Sequence, residues 1–343
     1  MLQNYEKGMK IMNANVKIRG VAVYHPENKV GNDYFVQHFA RQGKDITGLL
    51  EVTGRETRYL SNDPQENPLT MGIEAAKRAL SQTGIEGHEL DMIVFSSGTP
   101  EYVQPTNAVK VHHALGGKNS AIVYDINSNC VGMVVALEQI SRNMLSNPNV
   151  KYAMIVGAEQ LNKYSRTNEE VPYSNFGDAA AALILERVED YDGGFIDSSY
   201  YTDSSLHDTI VLPAKGFSNI YREDLEESDK RIEWLPFDTD DAFLSAKNAI
   251  ERLLMENGLT KSDVKRYFLS QFAKKNIDII CDQLNEDHEK FKFIGNEFGY
   301  TGTSSPFVAF AKSIEAGEIK RGDVIIFWSV GAGITSCNVI YKY

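Results

Sequence analysis

Cysteine is scarce: Cys130, Cys281 and Cys337 are the three in 343 residues, and none sits in a Cys-x-x-Cys pair. That spacing excludes a disulfide framework and a cysteine-built zinc site, and it fits a reducing, cytoplasmic setting. Long apolar runs are also missing, so no segment reads as a membrane span. Residues 1–15 are polar, carry no signal-peptide core and read as an N-terminal extension, with Met9 and Met12 as alternative starts. Basic charge is in deficit: 35 Lys and Arg against 47 Asp and Glu leave a net charge of −12. A general nucleic-acid binder needs the opposite field. There is no P-loop, no His-Glu-x-x-His and no Gly-x-Ser-x-Gly motif. Gly331-Ala332-Gly333 precedes a strand, whereas a dinucleotide loop precedes a helix. The adjacent His112 and His113 point about 100° apart on a helix and share no metal. No metal and no bound cofactor is expected.

What is present is a globular composition, 42% hydrophobic and 24% charged, enough for a full core. Strand patterns fall at 16–23, 90–97, 121–126, 151–157, 179–186, 193–201, 267–272, 323–329 and 334–343. Helical patterns fall at 70–83, 106–115, 240–257, 277–284 and 304–317. Their alternation argues for α/β architecture. The order helix, Gly84-Ile85, strand recurs about half a chain later as helix, Gly258-Leu259, strand. The same displacement sets Cys130 opposite Ser304 and Ile140 opposite Ile314, so the chain reads as a duplicated αβ half. The acidic stretch from Glu223 to Asp241 reads as a surface excursion that either shapes a tunnel or decorates the surface.

The organising segment is Tyr124 to Leu145. Ala121 to Ile126 is a strand, Asn127-Ser128-Asn129 supplies turn and cap residues, and a very apolar helix follows. Cys130 stands where strand gives way to helix. There, backbone N–H groups and the helix dipole lower a thiol pKa and favour the nucleophilic thiolate. The plainer alternative is a small core cysteine. Cys281 and Cys337 read as core, Asp178 as a turn or network residue, and Glu297 as a surface carboxylate. His207 is one of the histidines able to enter a site.

Four motifs carry a resemblance over nearly the whole chain from Ile18: Asp125-Ile-Asn-Ser-Asn-Cys130-Val-Gly, Phe176-Gly-Asp-Ala-Ala-Ala-Ala, Gly299-Tyr-Thr-Gly-Thr-Ser-Ser305 and Gly331-Ala-Gly333. In this combination the chain resembles the thiolase superfamily, and within it the β-ketoacyl-acyl-carrier-protein synthase III branch. The resemblance implies a thiolase-like α/β fold of two duplicated αβ halves in an αβαβα arrangement, with halves at 16–188 and 189–343. It implies that Cys130 takes an acyl group from a phosphopantetheine thioester, on acyl carrier protein or coenzyme A. The N–H groups of Cys130 and Gly333 would form the oxyanion hole. The family's histidine and asparagine, which polarise the malonyl carbonyl, correspond to Gln271 and Tyr300. The adenine clamp corresponds to Gly48 and Val52, so the stacking partners are gone while Gly54, Arg55 and Arg58 match. That favours a carrier-protein donor, docked on the basic stretch Lys261 to Lys275 and above all on Lys274 and Lys275.

Three functions follow from this. The first is a divergent 3-oxoacyl synthase III-like acyltransferase condensing with a malonyl thioester. The second is acyl transfer to a non-malonyl amine or hydroxyl. The third is a non-catalytic subunit of a heterodimer. The family implies a homodimer or heterodimer, paired through the strand at 121–126.

Overall fold

A computed structural model describes residues 14–238 and 240–343. Nine strands build two sheets: β1 (Asn15–Tyr24), β2 (Met92–Ser96), β3 (Ile122–Ile126), β4 (Tyr152–Glu159), β5 (Ala179–Val188), β6 (Gly194–Thr202), β7 (Val264–Leu269), β8 (Val324–Gly331) and β9 (Thr335–Lys342). The first sheet has the order β1-β5-β4-β2-β3, and the second the order β6-β9-β8-β7. Leaving β3 aside, the second repeats the first position by position: β2 lies parallel to β4 as β7 does to β8, and the other two pairs in each row are antiparallel. β3 lies parallel to β2 as a fifth strand. Its counterpart beside β7 is reduced, among the described residues, to a single parallel bridge between Tyr267 and Phe291.

Period-two burial decides the layers. In β4, Ala153 and Ile155 join one core while Met154 and Val156 join another; in β8, Ile325 and Phe327 part from Ile326 and Trp328 in the same way. Six helices fill the spaces: α1 (Pro68–Thr83), α2 (Asn107–Leu115), α3 (Gly132–Ser146), α4 (Asp240–Glu256), α5 (Lys274–Leu284) and α6 (Ser305–Glu315). The core between the sheets takes Val134, Leu137 and Ile140 from α3 with Phe307, Val308 and Phe310 from α6. α1 and α2 cover the outer face of the first sheet, and α4 and α5 that of the second. The result is the expected αβαβα stack of two duplicated halves.

Local chemistry fixes the helix ends. The Asn67 side chain accepts from Thr70 N while Thr70 Oγ1 accepts from Asn67 N, and Pro68 opens α1. Gly84 closes it in the left-handed region at φ 69°. The extension expected over 1–15 lies outside the described residues but for its last two positions, and Asn15 already pairs with Val188. No helix among the described residues is long and apolar enough to cross a membrane.

Candidate active site

β3 ends at Ile126, and the chain turns through Asn127–Asn129. Asn127 Oδ1 accepts from Asn129 N at 3.0 Å, and Asn129 adopts φ 51°, which asparagine tolerates better than most residues. A single 3-10 turn, Asn129–Val131, carries Cys130 into α3. Three contacts lock it. Ser329 Oγ donates to Cys130 O at 2.9 Å, Met133 N donates to Thr303 Oγ1 at 2.7 Å, and a Cβ on Gly132 would stand 2.2 Å from Ser96 Oγ. Through Ser329 and Thr303 the second half therefore holds the turn that carries Cys130 in place.

Cys130 is partly exposed and faces a cavity of about 420 Å³. The wall is mostly apolar, with Leu161, Phe176, Ile210, Leu212, Trp234 and Phe272 prominent. Trp234 stacks on Phe272 at 5.4 Å between ring centres. The stretch from Glu223 to Asp241 does more than decorate the surface: Ile232, Trp234, Pro236 and Phe237 line the cavity, and Glu233–Trp234 pairs with Ile210–Val211.

Tyr300 reaches the same cavity. Its N–H donates to Asn175 O at 2.9 Å and its carbonyl accepts from Gly177 N at 3.0 Å. Its buried hydroxyl lies close enough to the Cys130 sulfur to perturb it, and Ser270 Oγ donates to that hydroxyl at 3.5 Å. The thiol itself departs from expectation. Burial, followed by the nearby Glu159 carboxylate, pushes it well above its ordinary pKa. The Tyr300 hydroxyl and Cys130's own N–H pull the other way but do not win. The helix start therefore does not deliver a standing thiolate. The Tyr300 phenol is pushed up too, chiefly by burial.

Gln271 is displaced from its expected role. β7 ends at Leu269, three residues before the sequence pattern suggested; beyond it Ser270 and Phe272 line the cavity and Gln271 does not. Its amide is spent on the backbone: Nε2 donates to Leu269 O at 2.8 Å and Lys292 O at 3.0 Å, and Oε1 accepts from Ile294 N at 2.8 Å. Arg55, fully buried, clamps the same loop by donating to Gln271 O at 2.7 Å and Phe272 O at 2.5 Å. Gly333 is likewise absent from the wall, where Gly331, Ala332 and Ile334 stand instead. Its left-handed φ of 70° serves the turn between β8 and β9. Lys274 is tied to Asp278 and Lys275 is exposed, one residue before the wall residue Asn276. His207 lies on the surface beside Asp208 at 3.1 Å. Asp178 is buried, with Oδ2 accepting from Ser61 N at 2.9 Å, and burial pushes it up to about 7. Glu297 pairs with Lys29 at 3.2 Å and accepts from Tyr59 at 2.9 Å. Val52 is exposed and a Cβ on Gly48 would meet open space.

Glu159 is the functional candidate that the sequence reading missed. It is fully buried at the end of β4 and lines the cavity. Gly98 N donates to Oε1 at 2.9 Å and Thr303 N to Oε2 at 3.0 Å, while burial pushes the carboxyl up to about 7. The available signal was a carboxylate closing an otherwise apolar strand. One group of metal-capable atoms occurs among the described residues: Cys281, Asp282 and His288 converge within 4.8 Å. It stands off the cavity, where His288 Nε2 is already 2.9 Å from Asp282 and the Cys281 thiol donates to Glu286 O.

Two duplicated αβ halves, with a cysteine starting the buried helix of the first, define a member of the thiolase superfamily. Comparison with known proteins narrows this. The family model described as "3-Oxoacyl-[acyl-carrier-protein (ACP)] synthase III" matches residues 124–204, and its C-terminal counterpart matches 254–343. The β-ketoacyl-[acyl-carrier-protein] synthase III of Clostridium perfringens (strain SM101 / Type A) is 30% identical over 325 residues, 94% of this chain and 97% of that protein. The same-named protein of Ehrlichia ruminantium (strain Welgevonden) is 27% identical over 93% of this chain and 96% of its own length. The crystal structure of 3-oxoacyl-[acyl-carrier-protein] synthase III from Aquifex aeolicus VF5 superposes with a TM-score of 0.82. Its identity is 23%, and the match covers 96% of this chain and all of that one. The chain belongs to the 3-oxoacyl-[acyl-carrier-protein] synthase III family.

Proposed function

We propose that the protein is an acyltransferase that carries an acyl group on Cys130, taken from a phosphopantetheine thioester. The observation that carries this is the Cys130 sulfur at the start of α3, facing a 420 Å³ apolar cavity with the Tyr300 hydroxyl beside it. The acyl tail occupies the aromatic wall around Trp234 and Phe272. As the sulfur attacks the carbonyl, the N–H groups of Cys130 and of Ala332, the wall residue beside Gly331, take the oxyanion. Tyr300 holds the sulfur and stabilises its developing charge. Acyl carrier protein is the donor, docking near the start of α5. The functional unit is a dimer paired through β3, whose outer edge leaves Ile122 and Tyr124 exposed.

The relatives' names support condensation with a malonyl thioester. A second reading, transfer to a protic acceptor, is favoured by the wall itself: among the described residues no histidine lines it, and Ser270 and Phe272 flank the inward-turned Gln271. Intact-protein mass after incubation with acyl-carrier-protein and acyl-coenzyme A thioesters tests the carrier role, with Cys130→Ala as control. A single acyl adduct on the wild type alone supports it; no adduct with any donor refutes it. Adding malonyl carrier protein then separates the acceptors: carbon dioxide release with loss of the adduct marks a condensing enzyme.

A further inference from the structure

The cavity poses a chemical question that its cysteine does not answer. An acyl group on Cys130 must leave with a proton returned to sulfur, because the thiol is held protonated at neutral pH. Yet the wall carries no lysine, arginine or histidine among the described residues. Its titratable side chains are three: Cys130 from the start of α3, Tyr300 from the second half and Glu159 from β4. Glu159 alone titrates near neutrality. Its setting is built around it. Two backbone N–H groups, from Gly98 and Thr303, aim at one carboxylate oxygen each, and each oxygen keeps a further lone pair. Gly302 adopts φ 58° where a Cβ would stand 1.3 Å from Oε2. Among the described residues no cation pairs with it, so although Oε2 caps the 3-10 turn at Gly302–Ser304 through Thr303 N, neither oxygen is tied up in a salt bridge.

We propose that Glu159 is the general base of the acceptor half-reaction, so that the acyl-enzyme releases its acyl group to a protic nucleophile, water included, and the protein is a thioester hydrolase when no other acceptor is supplied. The inference rests on the reading of Cys130 as the acyl carrier. As the acceptor oxygen or nitrogen bonds to the acyl carbon, its proton passes to the Glu159 carboxylate, directly or through one water. The intermediate collapses by breaking the bond from carbon to sulfur. The electron pair stays on Cys130 Sγ, and the proton moves from Glu159 to that sulfur. Acyl-thioester and acceptor become acyl product and free thiol, with the carboxylate regenerated. Decarboxylation of a malonyl group needs no such base, and a second carboxylate beside it repels the malonyl charge.

The full chain is charged with octanoyl-coenzyme A, desalted, and the decay of the adduct in buffer is followed by intact mass between about pH 5.5 and 8.5, around the ordinary general-base range. The wild-type decay is expected to rise with pH to a plateau with a midpoint near 7. Glu159→Gln is expected to charge at least as fast as the wild type, because the carboxylate that pushes the Cys130 thiol up is gone, and to decay about a hundredfold more slowly without that midpoint. Glu159→Asp is expected to decay at an intermediate rate and keep it. Equal decay in wild type and Glu159→Gln overturns the inference while leaving Cys130 as carrier. If Glu159→Gln does not fold, a wild-type profile without the midpoint overturns it. If the wild type forms no adduct from octanoyl-coenzyme A it is charged from octanoyl carrier protein instead, and absence of an adduct from both overturns the carrier reading, and this inference with it.

Discussion

The two halves share one strand order and divide one task between them. In the first, a 3-10 turn at Asn129–Val131 opens α3 and presents Cys130; in the second, a 3-10 turn at Gly302–Ser304 opens α6 and presents Ser304. Cys130 reaches the cavity, whereas Ser304 is buried and spends its hydroxyl on Thr301 O at 2.9 Å. The last residue of β4 is Glu159, and the last of the corresponding β8 is Gly331. Both stand on the cavity wall, one as the only carboxylate there among the described residues and the other as a glycine pressed against Ser128 O. Duplication thus supplied two equivalent helix starts. One carries the cysteine that faces the cavity, and the half around the other holds that turn in place through Thr303 and Ser329.

The sharpest test of that division substitutes the paired positions. Cys130→Ala is expected to abolish the acyl adduct, and Ser304→Ala to leave adduct formation within about twofold while lowering stability by about 1 kcal/mol for one lost hydrogen bond. An adduct on the Ser304→Ala protein that is as weak as on Cys130→Ala would mean the halves do not divide as described. Next in size is Tyr300→Phe, which keeps the ring among Phe176 and Phe272 and removes the hydroxyl beside the sulfur. Acylation is expected to fall about a hundredfold, the cost of one donor at a developing charge. Stopped-flow release of coenzyme A reads it, and an unchanged rate would remove Tyr300 from the machinery.

The unequal strand ends also differ in titration. Glu159 moves from 4.5 to about 7 on folding, so between those values the folded chain holds a proton that the unfolded chain has released. Its stabilising contribution is full below about pH 4.5 and is lost as pH rises through 7. Buried Asp178 acts in the same direction. Glu159→Gln is expected to flatten the fall in stability between about pH 5 and 8 by about 3 kcal/mol, measured by urea unfolding. A fall as steep as that of the wild type would show the carboxyl to be solvated.

Much of this was legible in the sequence. The period-two strands, the duplicated order and the strand-to-helix step at Cys130 need only local pattern, and those parts hold. What failed was finer than an element. Gln271 matches the family's histidine by its place in the motif, and that place does not reveal that the amide is taken up by Leu269 O, Lys292 O and Ile294 N. The two residues after Gly331 cannot be ranked by sequence, since which of them borders the cavity depends on a turn closed by β9. For Glu223 to Asp241 the charge pattern leaves tunnel wall and surface decoration undivided, and the structure chooses between them by folding Ile232, Trp234, Pro236 and Phe237 inward. The thiol's pKa depends on burial and on Glu159, both set by chain segments far from it in sequence.

The smallest effect expected separates the helices that the duplication placed after β2 and β7. The start of α2 is closed internally: Asp125 accepts from Asn107 N at 2.7 Å and Ala108 N at 2.8 Å. α5 starts without a side-chain cap and brings Asn276 to the cavity, with Lys275 exposed beside it. If carrier protein docks there, Lys275→Glu should slow acylation from carrier protein by about two- to fivefold, the worth of one exposed charge pair, and leave acylation from coenzyme A unchanged. Lys274→Glu should do less through charge, since Asp278 already neutralises that side chain. Lys110→Glu on α2 is the matched control, because it changes net charge equally on the corresponding helix. Equal slowing by Lys110→Glu and Lys275→Glu would assign the effect to the field of a protein already at −12 and would take the docking face away from α5.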